Sequence, residues 1–202
     1  MKIKICGVTS RDDALMCAGA GAGLIGLNFY PKSPRYLTRE AGREIAAAMR
    51  ALPKPPALVG VFVNESAETM QRILDECELD LAQLSGDEPD EVLWAVGGRG
   101  FKAIRQPTTQ LPITDNQLLL FDAHAAGQYG GTGKAADWEA AAAIAEGCRL
   151  LLAGGLTPAN VAGAIQRVRP WGVDVASGVE SAPGKKDRAK VIAFINAAKG
   201  TS

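Results

Sequence analysis

The chain has 202 residues, and its 22 basic and 22 acidic side chains give a net charge of zero at neutral pH. That balance argues against a nucleic-acid-binding surface and against a charged disordered tail. Hydrophobic residues make up 47% of the chain, and this length suits one domain with one core. We therefore expect a single globular domain over residues 1–202.

Four cysteines are dispersed along the chain without a C-x-x-C pair, and His124 is the only histidine. We therefore expect no Cys/His zinc site, and no motif calls for another metal or a cofactor. The apolar runs fall far short of the ~20 residues needed to span a bilayer, and the N-terminal residues lack a signal-peptide pattern. Dispersed thiols and the missing export signal predict a cytoplasmic protein with no membrane partner.

Eight short apolar segments recur at similar spacing and predict strands. Most are continuous apolar runs, as expected for parallel strands that are buried on both faces. In chain order they are Ile3–Cys6, Leu24–Phe29, Ala57–Val63, Leu79–Leu84, Phe101–Arg105, Leu118–Asp122, Leu150–Ala153 and Val173–Ala176.

Seven amphipathic or alanine-rich segments alternate with these strands and predict helices. Ser10 starts the first in a capping-box-like pattern, and Thr157 followed by Pro158 fits an N-cap and first helical position. Two prolines in Gln106–Asn116 predict an irregular connection or a degenerate fifth helix. The seven are Ser10–Gly19, Thr38–Arg50, Ser66–Cys77, Glu88–Val96, Ala136–Ala145, Thr157–Val168 and Lys186–Lys199.

Strands alternating with helices indicate an α/β fold, either a closed (β/α)8 TIM barrel or a large doubly wound sheet. The chain is shorter than the ~250 residues typical of the barrel, so a barrel would need short loops. Eight units of this size make that feasible, and no linker divides the chain. We expect one (β/α)8 barrel.

Two glycine patterns resemble nucleotide-binding motifs. Gly21–Gly26 matches G-x-G-x-x-G, but a helix precedes it and a strand follows, the reverse of a dinucleotide site. It is therefore interpreted as a helix C-cap and turn. Gly130–Lys134 resembles a P-loop but lacks the earlier glycine and the serine or threonine after the lysine. It is interpreted as a flexible loop after the sixth strand.

Glycine-rich turns after the seventh and eighth strands predict a phosphate site. Gly154 and Gly155 follow the seventh strand, and Ser177 and Gly178 follow the eighth. Glycines let backbone N–H groups approach an anion, and a helix start adds partial positive charge. In barrel enzymes these two loops often bind phosphate; the alternative is two ordinary tight turns.

Four reactive or charged side chains lie at or near strand ends, where barrel enzymes place their active sites. Cys6 closes the first strand, although a free cysteine is often a small core residue. Asp122 closes the sixth and is either catalytic or a cap. Asp174 lies in the eighth and either points into the barrel mouth or marks a misread strand edge. Arg35 lies in the loop after the second strand, where Pro31 and Pro34 limit the loop's freedom, and it suits carboxylate recognition or a surface role.

Taken in order, these segments resemble the phosphoribosylanthranilate isomerase family of tryptophan biosynthesis, from about Ile3 to Ile195. One departure is Ser85, where the family usually has histidine in a Gln-Leu-His-Gly motif. We expect that position to shape the pocket and not to perform chemistry. The motifs that carry the resemblance are Lys4–Gly7, Ser33–Arg35, Val61–Asn64, Gln83–Gly86, Phe121–Asp122 with Gly130–Gly133, Leu152–Leu156 and Asp174–Glu180.

The resemblance implies an Amadori rearrangement of N-(5-phosphoribosyl)anthranilate without a cofactor. It implies that Asp122 is the general acid that opens the ribose ring and Cys6 the base that removes the C2 proton. A free thiol ionises near ~8.5, so a modest depression of the Cys6 pKa is expected to supply thiolate. A general-acid carboxyl needs burial or a like charge to keep its proton.

The resemblance also implies the substrate contacts. Arg35 would hold the anthranilate carboxylate, with Gln83 and Asp174 as further substrate-binding residues. Backbone N–H groups around Gly154, Gly155, Ser177 and Gly178 would hold the phosphate. His124 is expected to be a solvated loop residue.

Two other functions stay open, as does the oligomeric state, which is either monomer or homodimer. One is a related phosphosugar isomerase, such as the histidine-pathway aminoaldose isomerase. Cys6 argues against it, because that family resembles a carboxylate-pair design. The other is a phosphosugar-binding barrel without catalysis, which would not need Cys6, Asp122 and Arg35 together.

Overall fold

Eight parallel strands close into a barrel, with β1 to β8 following one another around its axis. The structure, a computed structural model, describes residues 1–105, 117–122 and 138–201. The closed barrel confirms the predicted (β/α)8 fold and excludes the alternative, a doubly wound sheet. The strands are β1 (Lys2–Cys6), β2 (Leu24–Asn28), β3 (Ala57–Phe62), β4 (Leu81–Leu84), β5 (Gly100–Ile104), β6 (Leu118–Asp122), β7 (Arg149–Ala153) and β8 (Gly172–Val175).

Seven α-helices are described, and a two-stranded hairpin of β9 (Glu180–Ala182) and β10 (Lys185–Lys186) follows β8. The hairpin was not predicted, and it moves the start of the last helix from Lys186 to Arg188. Three predicted features lie outside the described residues. They are the irregular segment Gln106–Asn116, the loop with His124 and Gly130–Lys134, and the first two residues of the fifth helix. The helices are α1 (Arg11–Ala20), α2 (Arg39–Arg50), α3 (Ala67–Glu76), α4 (Asp90–Val96), α5 (Trp138–Ala145), α6 (Val161–Val168) and α7 (Arg188–Lys199).

Helix α1 begins after the predicted N-cap, Ser10, and ends at Ala20, one residue beyond the predicted Gly19. The Ser10 hydroxyl accepts a hydrogen bond from the Asp13 N–H at 3.2 Å. The Asp13 carboxylate does not complete a capping box but accepts from the Lys186 N–H at 2.9 Å. Gly21 ends the helix with φ of 103°, a left-handed conformation that favours glycine. The glycine pattern at this turn is thus a helix C-cap, as expected.

The predicted start of α6 at Thr157 is wrong by four residues. Residues 158–160 form a turn, and the helix begins at Val161. The Asn160 side chain explains the difference, because it binds back to the loop. Its Nδ2 donates to the Gly155 carbonyl at 3.0 Å, and its Oδ1 accepts from the Thr157 N–H at 2.7 Å. Asn160 therefore braces the loop that follows β7.

The strands bury side chains on both faces, which accounts for their unbroken apolar runs. The outer faces pack against the helices in one large core that includes Phe62 and Phe194. A smaller core fills the barrel interior, including Leu120, Leu151 and Ala153. Because side chains alternate along a strand, the interior face of each strand continues to the carboxyl-terminal mouth. Asp122, two residues after Leu120, lies on that face.

The loops after β3 and β4 are joined by the Asn64 side chain. Asn64 adopts φ of 53°, and its Oδ1 accepts from the Asp87 N–H at 2.7 Å. A Cβ on Gly86 would lie 2.3 Å from that oxygen, so this position requires glycine. The buried Glu88 carboxylate accepts from the N–H groups of Asn64 and Gly86 and pairs with Lys102. These motif residues thus fix two neighbouring loops at the barrel mouth.

Candidate active site

The barrel mouth collects polar groups from several strands. Cys6 ends β1, Asp122 ends β6, and both remain half-buried. Asp174 of β8 and Gln83 of β4 are 8% and 6% exposed. Asp122 is aligned with Ala153 across the β6–β7 pair. The fold therefore brings the predicted strand-end residues to the face where barrel enzymes hold their active sites.

Asp174 points into the barrel and forms a buried ion pair. Its Oδ1 accepts a hydrogen bond from the Lys4 ammonium at 2.9 Å. The two residues are aligned across the β1–β8 pair, and the Lys4 side chain has no exposed surface. A buried charge requires such a partner. The interpretation of Asp174 as a strand edge is therefore excluded.

Gly26 of β2 makes room for the Cys6 thiol. A Cβ at this position would lie 2.9 Å from the Cys6 sulfur and 3.2 Å from the Lys4 Nζ. Both groups thus occupy the space that any other side chain at position 26 would fill. Gly26 is aligned with Cys6 across the β1–β2 pair. The sheet register therefore puts a residue without a side chain beside the thiol.

Burial raises the pKa of the Cys6 thiol above its ordinary value of 9.0. The nearby Lys4 and Lys186 cations oppose this increase, while Asp174 adds to it. The expected depression of the Cys6 pKa is therefore wrong for the unliganded protein. Desolvation penalises the thiolate more than the two cations stabilise it.

Arg35 is held by a buried carboxylate. Its Nε and Nη2 donate to the two Glu180 carboxylate oxygens at 2.8 and 2.6 Å, the paired geometry that guanidinium favours. The aliphatic stem crosses Gly7, where a Cβ would lie 2.3 Å from the Arg35 Cδ. Arg35 is thus fixed beside the residue that follows Cys6.

Lys186 links this ion pair to the backbone of Cys6. Its ammonium donates to the Cys6 carbonyl at 2.6 Å, to the Glu180 Oε1 at 2.7 Å and to the Ala176 carbonyl at 3.3 Å. The Lys186 side chain has no exposed surface. One cation therefore joins the ends of β1 and β8 to the β9–β10 hairpin.

Sequence reasoning assigned no role to Lys4, Glu180 or Lys186. The Pro183-Gly184 dipeptide is a turn signal, and it could have indicated the hairpin that turns Lys186 inward. The pairing of Lys4 with Asp174 had no local signal, because the two residues are 170 positions apart. Glu180 and Lys186 are only 6 positions apart and meet across the unpredicted hairpin.

Three cations, Lys4, Arg35 and Lys186, and two carboxylates, Asp174 and Glu180, lie around Cys6. All five are wholly or largely shielded from solvent, so their fields are weakly screened. The three cations can attract an anionic ligand to this part of the barrel mouth.

Gln83 and Ser85 contact each other on β4 and the loop after it. The Gln83 Nε2 donates to the Ser85 hydroxyl at 3.0 Å. Within residues 1–105, 117–122 and 138–201, the buried Gln83 Oε1 has no hydrogen-bond partner. The serine that departs from the family motif thus orients the glutamine amide.

The loops after β7 and β8 touch through their backbones. Gly154 and Gly155 adopt φ of 97° and 63°, which favours glycine. Ser177 starts a 3-10 helix, Ser177–Val179, in which a Cβ on Gly178 would lie 1.9 Å from the Leu156 carbonyl oxygen. The four residues of the predicted phosphate site are therefore brought together in two tight turns.

Neither a metal centre nor a membrane span is found in the described part of the chain. Residues 1–105, 117–122 and 138–201 contain no group of three metal-ligating side chains that could hold an ion. Among the same residues, every helix is too short or too polar to cross a bilayer.

Comparisons with known proteins agree with one family. The family model described as N-(5'phosphoribosyl)anthranilate (PRA) isomerase matches residues 3–197. The N-(5'-phosphoribosyl)anthranilate isomerase of Trichlorobacter lovleyi is 47% identical, with 98% of each chain covered.

Solved structures give the same result. The phosphoribosyl anthranilate isomerase of Thermotoga maritima has a TM-score of 0.87 and 38% identity, with 99% of each chain covered; that enzyme is described as dimeric. A second similar structure is a phosphoribosyl anthranilate isomerase in complex with reduced 1-(o-carboxyphenylamino)-1-deoxyribulose 5-phosphate. It has a TM-score of 0.82 and 36% identity, again with 99% of each chain covered.

Proposed function

Because the chain belongs to the N-(5'-phosphoribosyl)anthranilate isomerase family, we propose that it converts N-(5-phosphoribosyl)anthranilate into 1-(2-carboxyphenylamino)-1-deoxyribulose 5-phosphate. This Amadori rearrangement is a step of tryptophan biosynthesis. The family match over residues 3–197 carries the proposal, and the three cations around Cys6 support it, since the substrate is an anion at both ends.

The rearrangement needs an acid and a base that act in turn. Asp122 protonates the ribose ring oxygen, and the C1–oxygen bond opens to give an iminium ion. The Cys6 thiolate then removes the proton from C2 and leaves an enolamine, which tautomerises to the ketone. Positions at two strand ends of one barrel mouth support these roles.

Arg35 would bind the anthranilate carboxylate with the donors that Glu180 leaves available. A guanidinium has five N–H groups, and Glu180 engages the Nε and one N–H of Nη2. The ion pair with Glu180 does not use the other three N–H groups. Gln83 would accept a hydrogen bond from the substrate at its Oε1, and Asp174 would contact the substrate beside Lys4.

The phosphate would bind to backbone N–H groups of Gly154, Gly155, Ser177 and Gly178. The left-handed turn after β7 and the 3-10 helix after β8 support this, because such turns direct N–H groups toward one point. No lysine or arginine is needed for this contact. The Asn160 bracing of the first turn would keep its N–H groups oriented.

Gly178→Ala is expected to weaken phosphate binding at least tenfold. The added Cβ would collide with the backbone carbonyl of Leu156, and a backbone atom cannot move aside as a side chain does. In wild-type protein, inorganic phosphate should raise the melting temperature through linkage, and in the variant that increase should be lost. Gly163→Ala in α6 is the matched control, because its Cβ meets no atom within 4 Å. Equal stabilisation of Gly178→Ala and wild type by phosphate would contradict this site.

The function is tested by following the fluorescence of the anthranilate adduct as purified protein consumes it. We expect turnover of N-(5-phosphoribosyl)anthranilate and little or none of the histidine-pathway aminoaldose. Turnover of the histidine precursor alone would replace this assignment with the related isomerase. Phosphate-dependent stabilisation without turnover of either compound would indicate a binding barrel.

The remaining proposals concern organisation and location. We propose that residues 1–202 form one barrel domain, that the protein acts in the cytoplasm, and that its partner is the phosphoribosyl substrate and not nucleic acid or membrane. Monomer and homodimer are separated by sedimentation at several protein concentrations.

A further inference from the structure

Lys4 is a fully enclosed cation inside the barrel, and the reaction proposed above gives it no role. Its side chain has no exposed surface, and it is among the largest fully buried side chains. Burying an ammonium group costs several kcal/mol unless it is paired. An apolar residue would fill the same space without that cost, so the charge itself requires an explanation.

The Lys4 ammonium lies between an anion and a thiol. On one side the Asp174 Oδ1 accepts its hydrogen bond at 2.9 Å. On the other side the ammonium and the Cys6 sulfur both lie within 3.2 Å of one point, the Cβ position that Gly26 lacks. The interior face of β1 thus brings Lys4 beside the sulfur two residues later.

We propose that Lys4 is a positioning residue whose ammonium stabilises the Cys6 thiolate, with Asp174 as the competing anion that keeps the ammonium charged and in place. The inference deepens the proposed function, because it depends on Cys6 acting as the base.

The other charged groups that face Cys6 are less able to fill this role. Lys186 of β10 already donates to three acceptors, which uses all three of its N–H groups. Arg35, from the loop after β2, is engaged by Glu180 of β9. Lys4 donates one hydrogen bond to Asp174 and has two further N–H groups.

The electrostatics agree with this geometry. Burial alone would lower the pKa of Lys4, but the charges of Asp174 and then of Cys6 raise it above its ordinary value of 10.5. Lys4 therefore stays protonated over the pH range in which a thiol ionises. Lys4 acts to lower the pKa of Cys6, and Asp174 acts to raise it.

The test measures the ionisation of Cys6 without substrate. Iodoacetamide reacts with the thiolate and not the thiol, so the alkylation rate of the Cys6 peptide, followed by mass spectrometry against pH, reports the thiolate fraction. Wild type is compared with the double variant Lys4→Met/Asp174→Asn. The double variant removes both members of the buried ion pair, so neither charge is left without a partner.

Below the pKa of Cys6, we expect alkylation several times faster in wild type than in the double variant, because Lys4 lowers the Cys6 pKa by more than Asp174 raises it. Lys2→Met, at the exposed start of β1, is the control and should react as wild type does. Equal alkylation rates in wild type and the double variant, with circular dichroism and melting showing both folded, would overturn the role of Lys4. Because the alkylation assay contains no substrate, that result can be distinguished from a failure of isomerase turnover.

Discussion

Cys6→Ala and Asp122→Asn are each expected to lower kcat by about 100-fold or more, the usual scale of general acid–base catalysis. Each change removes a group that is proposed to transfer a proton and keeps the local shape. The free energy of unfolding should change by less than about 1 kcal/mol, since neither residue fills the core. Steady-state turnover and urea denaturation measure the two quantities.

Two matched controls distinguish the loss of a proton-transferring group from the effect of removing any thiol or carboxylate. Cys148→Ala removes another half-buried thiol, and Asp75→Asn removes a carboxylate that is paired with Arg99 at the surface. Both should keep wild-type kcat. Wild-type turnover in Cys6→Ala or in Asp122→Asn would remove that residue from the mechanism.

The raised pKa of Cys6 also predicts the pH dependence of the reaction. The thiol is the inactive form of the proposed base, so in Asp122→Asn, whose side chain no longer titrates as an acid, the residual kcat/KM should increase with pH until the pH exceeds the Cys6 pKa. Because burial raises that pKa above 9.0 in the unliganded protein, the increase should continue into the alkaline range. A profile already level at neutral pH would show that Cys6 is ionised by another means.

Glu180→Gln is expected to destabilise the protein by about 3 kcal/mol, because removing one partner of a buried ion pair leaves the other charge uncompensated. The Glu180 and Lys186 side chains are 4% and 0% exposed, and Arg35 would lose its anionic partner as well. The substrate KM should therefore increase. Glu139→Gln is the control, because its ion pair with Arg167 is solvent-exposed and should contribute under about 1 kcal/mol.

The stability difference between Glu180→Gln and wild type should depend on pH. Burial alone would raise the pKa of Glu180, but hydrogen bonds from Arg35 and Lys186 hold it below the ordinary value of 4.5. Glu180 therefore stabilises the fold fully above pH 4.5, and this contribution is lost as the pH falls through the lowered pKa. Urea denaturation at a series of acidic pH values should show the two proteins converging. A constant difference down to the acid limit would contradict the ion-pair explanation.

The strands and the strand-end residues could be predicted because their signals are local. Unbroken apolar runs identify parallel strands wherever they occur, and the barrel turns each strand end toward one mouth. Cys6, Asp122 and Asp174 follow from that rule together with the family motifs. The start of α6 could not be predicted from Thr157, because the Asn160 side chain favours the loop over the helix.

Two ion pairs of the site, Lys4–Asp174 and Arg35–Glu180, could not be predicted, because each joins distant parts of the chain. Arg35 and Glu180 are 145 residues apart. The direction of the Cys6 pKa depends on a balance between desolvation and two cations, and a sequence gives no measure of either. The role of Gly26 could not be predicted either. The chain has 23 glycines, and only the sheet register shows that this one is aligned with Cys6.

The contact of Lys186 with the Cys6 carbonyl joins residues that are 180 positions apart. A ribosome synthesises the N-terminal residues first, so Cys6 emerges long before the β9–β10 hairpin. The Cys6 carbonyl is therefore bound by Lys186 only after residues 180–186 have been synthesised and β8 has closed against β1. A nascent chain that lacks these residues carries Cys6 without this contact.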